Sequence, residues 1–387
     1  MHACGLRNCA DSAAAPRGVS LVCSVETTAH ARVDLSALRD NLTVVRMLCP
    51  HSRVMAMVKA DAYGHGLLPV ARALEEAEGF AVARFHEAML LREAGIKQRI
   101  LILGTLLNER DLAVCSESNI DVTAHNPESL ASILTQATRT PLRVWLKLDS
   151  GMHRIGFDPD AFVQADRMLR DHAGILDLVH MTHFSSAGQS GSDMVDQQMA
   201  CFWACHRMSS KAQVSLANSA ALILRSDTHA DWVRPGIMLY GDNPVPTSNV
   251  IGLRPVMTLR ARVISVRTIR AHEAVGYNSG WTSTRTSRIG TLGIGYGDGY
   301  PRHAQNGTPV WIDGKIVPLV GRVSMDSLAV DLTDHGRARV GDEAVLWGPE
   351  LAVSTVAACA ATISYELFTS VSPRVPREYR GILPMSL

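Results

Sequence analysis

The sequence predicts an α/β protein, with an N-terminal (β/α)8, TIM-like barrel followed by a mainly antiparallel β domain. Two observations carry this. Between residues 31 and 254, eight short apolar or β-branched runs alternate with segments of helical spacing. From 255 to 387 the runs alternate apolar with polar residues, and turn dipeptides separate them. A chain of 387 residues exceeds one ordinary core, so two domains are expected.

Taken in order, residues 1–30 are small, polar and weakly patterned, and the apolar stretch 19–22 is too short for a secretory signal. They are expected to be a disordered extension, or the product of an upstream start codon chosen in error. A helix at 37–48 follows, with Ser36 as its N-cap and Leu38, Leu42 and Val45 as its apolar stripe. The eight barrel strands are placed at 54–59, 80–83, 100–103, 120–123, 142–148, 176–183, 213–217 and 233–239. Helices fall between them at 68–78, 87–94, 127–137, 161–172 and 194–208. Asn126-Pro127 and Asp158-Pro159 read as helix starts, and Gly95 as the residue just past a helix end. In the second domain, strands are expected at 258–268, 289–294, 309–312, 315–320, 327–332 and 343–347. Asp313-Gly314 and Gly341-Asp342 supply turns, and 353–367 reads as one helix. The run GIGYGDGY at 293–300 is glycine-rich, but no helix follows it as a phosphate loop requires, so it reads as a tight bend.

The stretch VMAMVKADAYGHG at 54–66 ends a buried strand on Lys59. Lost hydration there disfavours the ammonium and leaves an amine able to attack carbonyls, including that of pyridoxal 5'-phosphate (PLP). A lone strand-end lysine ordinarily snorkels into water and does nothing. Its company argues otherwise. Lys147 and Asp149 end the fifth strand, His183 the sixth, Asn218 and Ser219 the seventh, while Arg234 and Gly236 lie on the eighth. Each has an ordinary explanation alone, as a cap, a core histidine or a surface arginine. A barrel, however, gathers the C-terminal ends of its strands at one mouth.

Composition narrows the classes. A formal charge of +1 leaves no basic footprint for nucleic acid or an anionic membrane. No apolar run reaches the roughly 20 residues of a membrane span. The eight cysteines form no CxxC pair. Cys201, Cys205 and His206 share a helical face but lack the further ligands that zinc needs. Reduced, buried thiols in a cytoplasmic protein are expected.

Together these motifs resemble those of bacterial alanine racemases, from Ala31 to Arg380. In VKADAYGHG (58–66), Lys59 matches the lysine that holds PLP covalently and Tyr63 a tyrosine on the cofactor phosphate. KLDSGMHRIG (147–156) carries Arg154, matched to a contact with the cofactor phenolic oxygen and the substrate. ANSA (217–220) and RPGIMLY (234–240) match the phosphate and pyridine segments. There Ser219, Gly236 and Ile237 would hold phosphate and Arg234 would face the pyridine nitrogen, with Asn218 and His183 also at the cofactor. VGYN (275–278) carries Tyr277, matched to a second catalytic base. GRVSMD (321–326) carries Met325 and Asp326 for substrate, and Tyr296 matches a tyrosine at the substrate entrance.

The resemblance implies a PLP-dependent racemase that interconverts L- and D-alanine and supplies D-alanine for peptidoglycan. It also implies a head-to-tail homodimer with two shared sites, Tyr277 and Met325 coming from the protomer opposite Lys59. Inverting a carbon through a planar carbanion needs a base on each face. Free lysine and tyrosine both titrate near 10, roughly, so each must be lowered. For Tyr277 the resemblance suggests a hydrogen-bond chain through His183 to Arg234. Arginine is a permanent donor, so the pyridine nitrogen stays unprotonated, which disfavours transamination. In many relatives the lysine matching Lys147 is carbamylated, and the same is expected here. Two departures stand out. Pro373 occupies the position where several members place a phosphate-touching tyrosine, which opens the pocket to serine or other small amino acids. Ser324 replaces a frequent cysteine. The rivals are a broader-specificity racemase, a basic amino-acid decarboxylase, and a PLP-binding protein without turnover.

Overall fold

A computed structural model describes residues 27–189, 191–209, 212–245 and 252–381. The weakly patterned stretch 1–26, with the apolar residues 19–22, lies outside them. The described chain begins with a strand that the sequence reading leaves unassigned, β1 (Ala29–Asp34). The barrel strands follow: β2 (Arg53–Met57), β3 (Gly79–Val82), β4 (Arg99–Ile102), β5 (Ile120–Ala124), β6 (Leu142–Lys147), β7 (Ile175–Met181), β8 (Gln213–Asn218) and β9 (Trp232–Arg234). They pair in parallel in chain order, and β9 returns to β2 through Arg53↔Trp232 and Val54↔Val233. The expected barrel is present. Its last strand is shorter than expected: Pro235 offers no N–H, Gly236 turns the chain, and Ile237–Tyr240 is a single 3-10 turn.

Most helices begin where the sequence signals them. Pro127–Ala137 and Pro159–Arg170 start at their prolines, capped by Asn126 and Asp158. The first helix, Leu35–Leu48, is capped by Asp34 rather than Ser36: its Oδ1 accepts the Ser36 and Ala37 amides at 2.9 and 3.1 Å. A helix at Glu109–Glu117 was not anticipated, because ERDLAVCSE has too few apolar residues to show a stripe. The expected helix at 353–367 is two, Val353–Cys359 and Ser364–Ser370, with Ala361 between them at φ +49°. Neither glycine nor proline marks that break.

The second domain is built on the long strand β10 (Met257–Ile269). β1 pairs antiparallel with it and parallel with the final strand, Arg377–Arg380. The first and last described strands therefore meet in the second domain's sheet, beside the segment that follows β2. Asp313 and Gly314, at φ +39° and +80°, turn the predicted two-residue hairpin between Pro309–Ile312 and Lys315–Pro318.

The barrel is plugged opposite its mouth by charge as well as by apolar side chains. Arg99 pairs with Asp121 and, at 2.7 Å, with Asp177, and Trp145 Nε1 donates to Asp121 at 2.8 Å. Asp121 is fully buried. Arg99→Leu is therefore expected to strand that carboxylate and to remove roughly 3–5 kcal/mol of stability, read as a lower urea midpoint. An unchanged midpoint would show the network to be dispensable.

Candidate active site

Loops and strand ends at the barrel mouth enclose a cavity of about 790 Å³. Lys59, Tyr63, Lys147, Arg154, His183, Asn218, Ser219, Arg234 and Gly236 all line it. Nine of the residues singled out from sequence are thus brought together from five barrel strands and their loops.

The chain after β2 builds its floor. Val58 N still bonds Ala81 O at 3.0 Å, and Lys59 follows, half-buried. Ala60, Asp61, Ala62 and Tyr63 then run at φ +53° to +55°, a left-handed turn made of non-glycine residues. Each such residue costs roughly 1–2 kcal/mol, so the surroundings must hold the turn. Glu87 Oε1 accepts Ala60 N at 2.7 Å, and Asp61 Oδ1 accepts Leu67 N at 2.7 Å. Arg377 Nε, on the final strand, donates to Gly64 O at 3.0 Å. Gly64, at φ +76°, sits so close to the next layer that a Cβ would lie 2.2 Å from Phe368 O. Both Lys59 and Tyr63 reach the cavity from this turn.

Tyr63 stacks on Tyr240 with centroids 4.7 Å apart. A Cβ added at Gly236 would lie 2.5 Å from Tyr63 Oη, so only glycine lets the backbone come this close. Gly236 N donates to Ser219 Oγ at 2.8 Å. A phenol, a hydroxyl and a glycine amide thus meet at one wall. Ile237 opens the 3-10 turn behind this wall, fully buried and outside the lining. Asn218 lines the cavity while its Oδ1 caps the next helix through Ala221 N at 3.0 Å.

Charge in the cavity is dominated by cations. Burial, then Arg154, hold the Lys59 amine below its usual range, with Glu87 opposing. Burial, then Arg234, Arg154 and Lys59, bring Lys147 down to about 7. Burial and the same four cations, Arg234 foremost, hold His183 well below its ordinary value, so its imidazole is neutral. Burial lowers Arg234 to about 10, which leaves it a cation at neutral pH. Glu366 brings a carboxylate to the lining. A cationic cavity with the Tyr63–Ser219–Gly236 cradle on one wall and a depressed lysine at the floor suits an anionic phosphorylated aldehyde. PLP has that chemistry.

Three expectations change. Arg234 gives its guanidinium to Ser215 Oγ at 2.5 Å and to the carbonyls of Thr182 and Leu216 at 2.5 and 3.2 Å. Strand-end acceptors capture the fork, so the expected link from Arg234 to His183 is not made. Pro373 is exposed and outside the cavity, whereas Tyr365 lines it, with its ring 5.8 Å from that of Tyr63. The phenol expected to be missing comes from the second half of the split helix, and the reason to expect a wider pocket goes with it. Sequence reading missed Tyr365, Glu366 and Thr369 because a tyrosine in an unbroken helix reads as packing. Finally, Tyr296 and Asp326 do not line the cavity of their own chain, and neither do Tyr277 and Met325, for which the resemblance already implies the partner's site. Tyr277 is 67% exposed and Met325 53%. Asp326 pairs with Arg374 at 2.6 Å, and Gly297 N bonds Met325 O at 2.8 Å, so these loops form one exposed face of the second domain.

Residues 33–244 match the family model for the alanine racemase N-terminal domain, and residues 256–379 match that for the C-terminal domain. The chain is 47% identical over 355 residues to the alanine racemase of Chromohalobacter salexigens, covering 91% of this chain and 97% of that protein. It is 44% identical over 356 residues to that of Yersinia pestis, covering 91% and 99%. Among solved structures, the biosynthetic alanine racemase of Pseudomonas aeruginosa superposes with a TM-score of 0.89 at 43% identity, covering 92% of this chain and 99% of that one.

Proposed function

Since the chain belongs to the alanine racemase family, whose reaction interconverts L- and D-alanine, we propose that it performs that reaction with Lys59 and Tyr277 as bases on opposite faces of the α-carbon. The family is PLP-dependent, and the cavity suits PLP, which Lys59 would hold covalently while Tyr63, Ser219 and Gly236 would take its phosphate. When bound, the cofactor draws electrons from the α-carbon and makes its C–H acidic. The protein's own groups do the rest. Burial and Arg154 hold Lys59 below its usual range, which favours the amine form that takes a proton at one face. Arg154 would contact the substrate, and Arg234 would face the pyridine nitrogen as a fixed cation. The observation that carries the reading is the meeting of a depressed lysine with the Tyr63–Ser219–Gly236 cradle in one cationic cavity.

Tyr277 and Met325 are exposed and absent from the lining, which supports a twofold homodimer in which they complete the partner's site. No helix among the described residues is long and apolar enough to cross a membrane, and a cytoplasmic enzyme supplying D-alanine to peptidoglycan accords with this. A chiral assay of the PLP-loaded protein across a panel of L- and D-amino acids tests the whole reading. Racemisation confined to alanine supports it. Turnover centred on serine or larger substrates favours the broader racemase, and none at all favours a PLP-binding protein without activity.

Carbamylation of Lys147 belongs to the same reading. Its Nζ would add to carbon dioxide, forming an N–C bond and releasing a proton, and only the neutral amine can do so. With the amine brought down to about 7, the neutral fraction rises from about a tenth at pH 6 to about nine-tenths at pH 8. A carbamate signal in 13C NMR with labelled bicarbonate is expected to grow over that range and to be missing from Lys147→Met. Equal spectra from the two proteins would rule the modification out.

A further inference from the structure

We propose that Glu87 is a positioning residue for Lys59, its carboxylate fixing the turn that aims the reacting amine into the cavity. The proposal rests on Lys59 being that amine. Glu87 is the third residue of the helix Phe85–Glu93 and is only 6% exposed. Its Oε2 accepts the amides of Ala83 and Arg84, each at 3.0 Å, which is the usual work of a glutamate at a helix start. Its Oε1 does something else. It reaches across from the end of β3 to the segment after β2 and accepts Ala60 N at 2.7 Å. Ala60 is the first residue of the left-handed turn and the neighbour of Lys59, and both Ala60 and Ala83 line the cavity. One buried carboxylate therefore clamps two strand ends together beside the lysine.

The charge of Glu87 matters as well as its reach. The Lys59 amine faces Arg154 on the cavity side and Glu87 behind the turn, and its own charge acts on Lys147 and His183 across the cavity. Of these, Glu87 is the one that favours the ammonium. Glutamine cannot replace it. Its carboxamide has one acceptor end, so its NH2 must face either Ala60 N–H or the Ala83 and Arg84 pair.

The test compares wild type, Glu87→Gln and Glu93→Gln as PLP-loaded enzymes. Glu93 is exposed on the same helix and serves as the control. Glu87→Gln is expected to lose about 10- to 100-fold in kcat, with KM for alanine nearly unchanged, as a displaced reacting group requires. The acid limb of its kcat profile is expected to move to lower pH, since the amine loses the carboxylate that favoured its protonation. Glu93→Gln should behave as wild type. A Glu87→Gln enzyme with wild-type kcat and an unmoved limb overturns the proposal, even if it melts at a lower temperature. Should that variant fail to fold, Glu87→Asp, which keeps the charge and shortens the reach by one methylene, is read in the same way: lower kcat at constant KM supports the clamp, and wild-type kcat overturns it. A wild type that does not racemise alanine defeats the functional reading instead, so the two failures are distinct.

Discussion

Lys59→Ala is expected to abolish alanine racemisation, with a loss of about 10⁴-fold or more, because the proposed mechanism has one side chain both bond the cofactor and move a proton. The loss should be chemical rather than structural. Lys59 ends a strand at the rim of a cavity, and its turn is held by backbone hydrogen bonds and by the side chains of Glu87, Asp61 and Arg377, none of which involves the Lys59 side chain. The melting temperature should therefore hardly move. The Tyr63–Ser219–Gly236 cradle is untouched, so PLP should still bind, but without the visible absorbance of the lysine-bound form. Lys59→Arg should fare no better, since a guanidinium does not deprotonate near neutral pH. Racemisation surviving in Lys59→Ala would remove the lysine from the mechanism.

Tyr277→Phe is expected to lose about 10²- to 10⁴-fold, the usual worth of a positioned base. A protein that merely carries PLP would be indifferent to the change. Tyr277 is exposed and outside its own chain's cavity, so on the proposed reading it acts in a partner's site. That predicts a complementation result. When Lys59→Ala and Tyr277→Phe proteins are mixed and allowed to exchange protomers, each heterodimer regains one site with both residues and leaves one with neither. Statistical mixing then restores about a quarter of wild-type activity from two inactive parents. If both bases came from one chain, mixing would restore nothing.

Much of this site was legible in the residues. Lys59, Lys147, His183, Ser219 and Arg234 sit at or just past strands recognisable by apolar runs, and closing eight such strands gathers their ends at one mouth. The parts that were not legible have one feature in common: no local sequence signal marks them. Tyr365 enters the cavity because a helix breaks at Ala361 without glycine or proline. The fork of Arg234 was expected to reach His183, but it is taken by the Thr182 and Leu216 carbonyls, which only the packed strands bring within range.

The amino-acid sequence by itself determined the barrel, the order of its strands, the Asp313-Gly314 hairpin and which polar residues face the mouth. These follow from side-chain periods and local turn chemistry acting over a few residues. Only the tertiary structure decided that β1 joins the second domain's sheet, that the turn after Lys59 is left-handed, and that Tyr365 rather than Pro373 stands at the cavity. For L-residues such a turn is locally unfavourable. It persists here because Glu87 and Arg377, the latter 313 positions from Gly64, hold its backbone from either side.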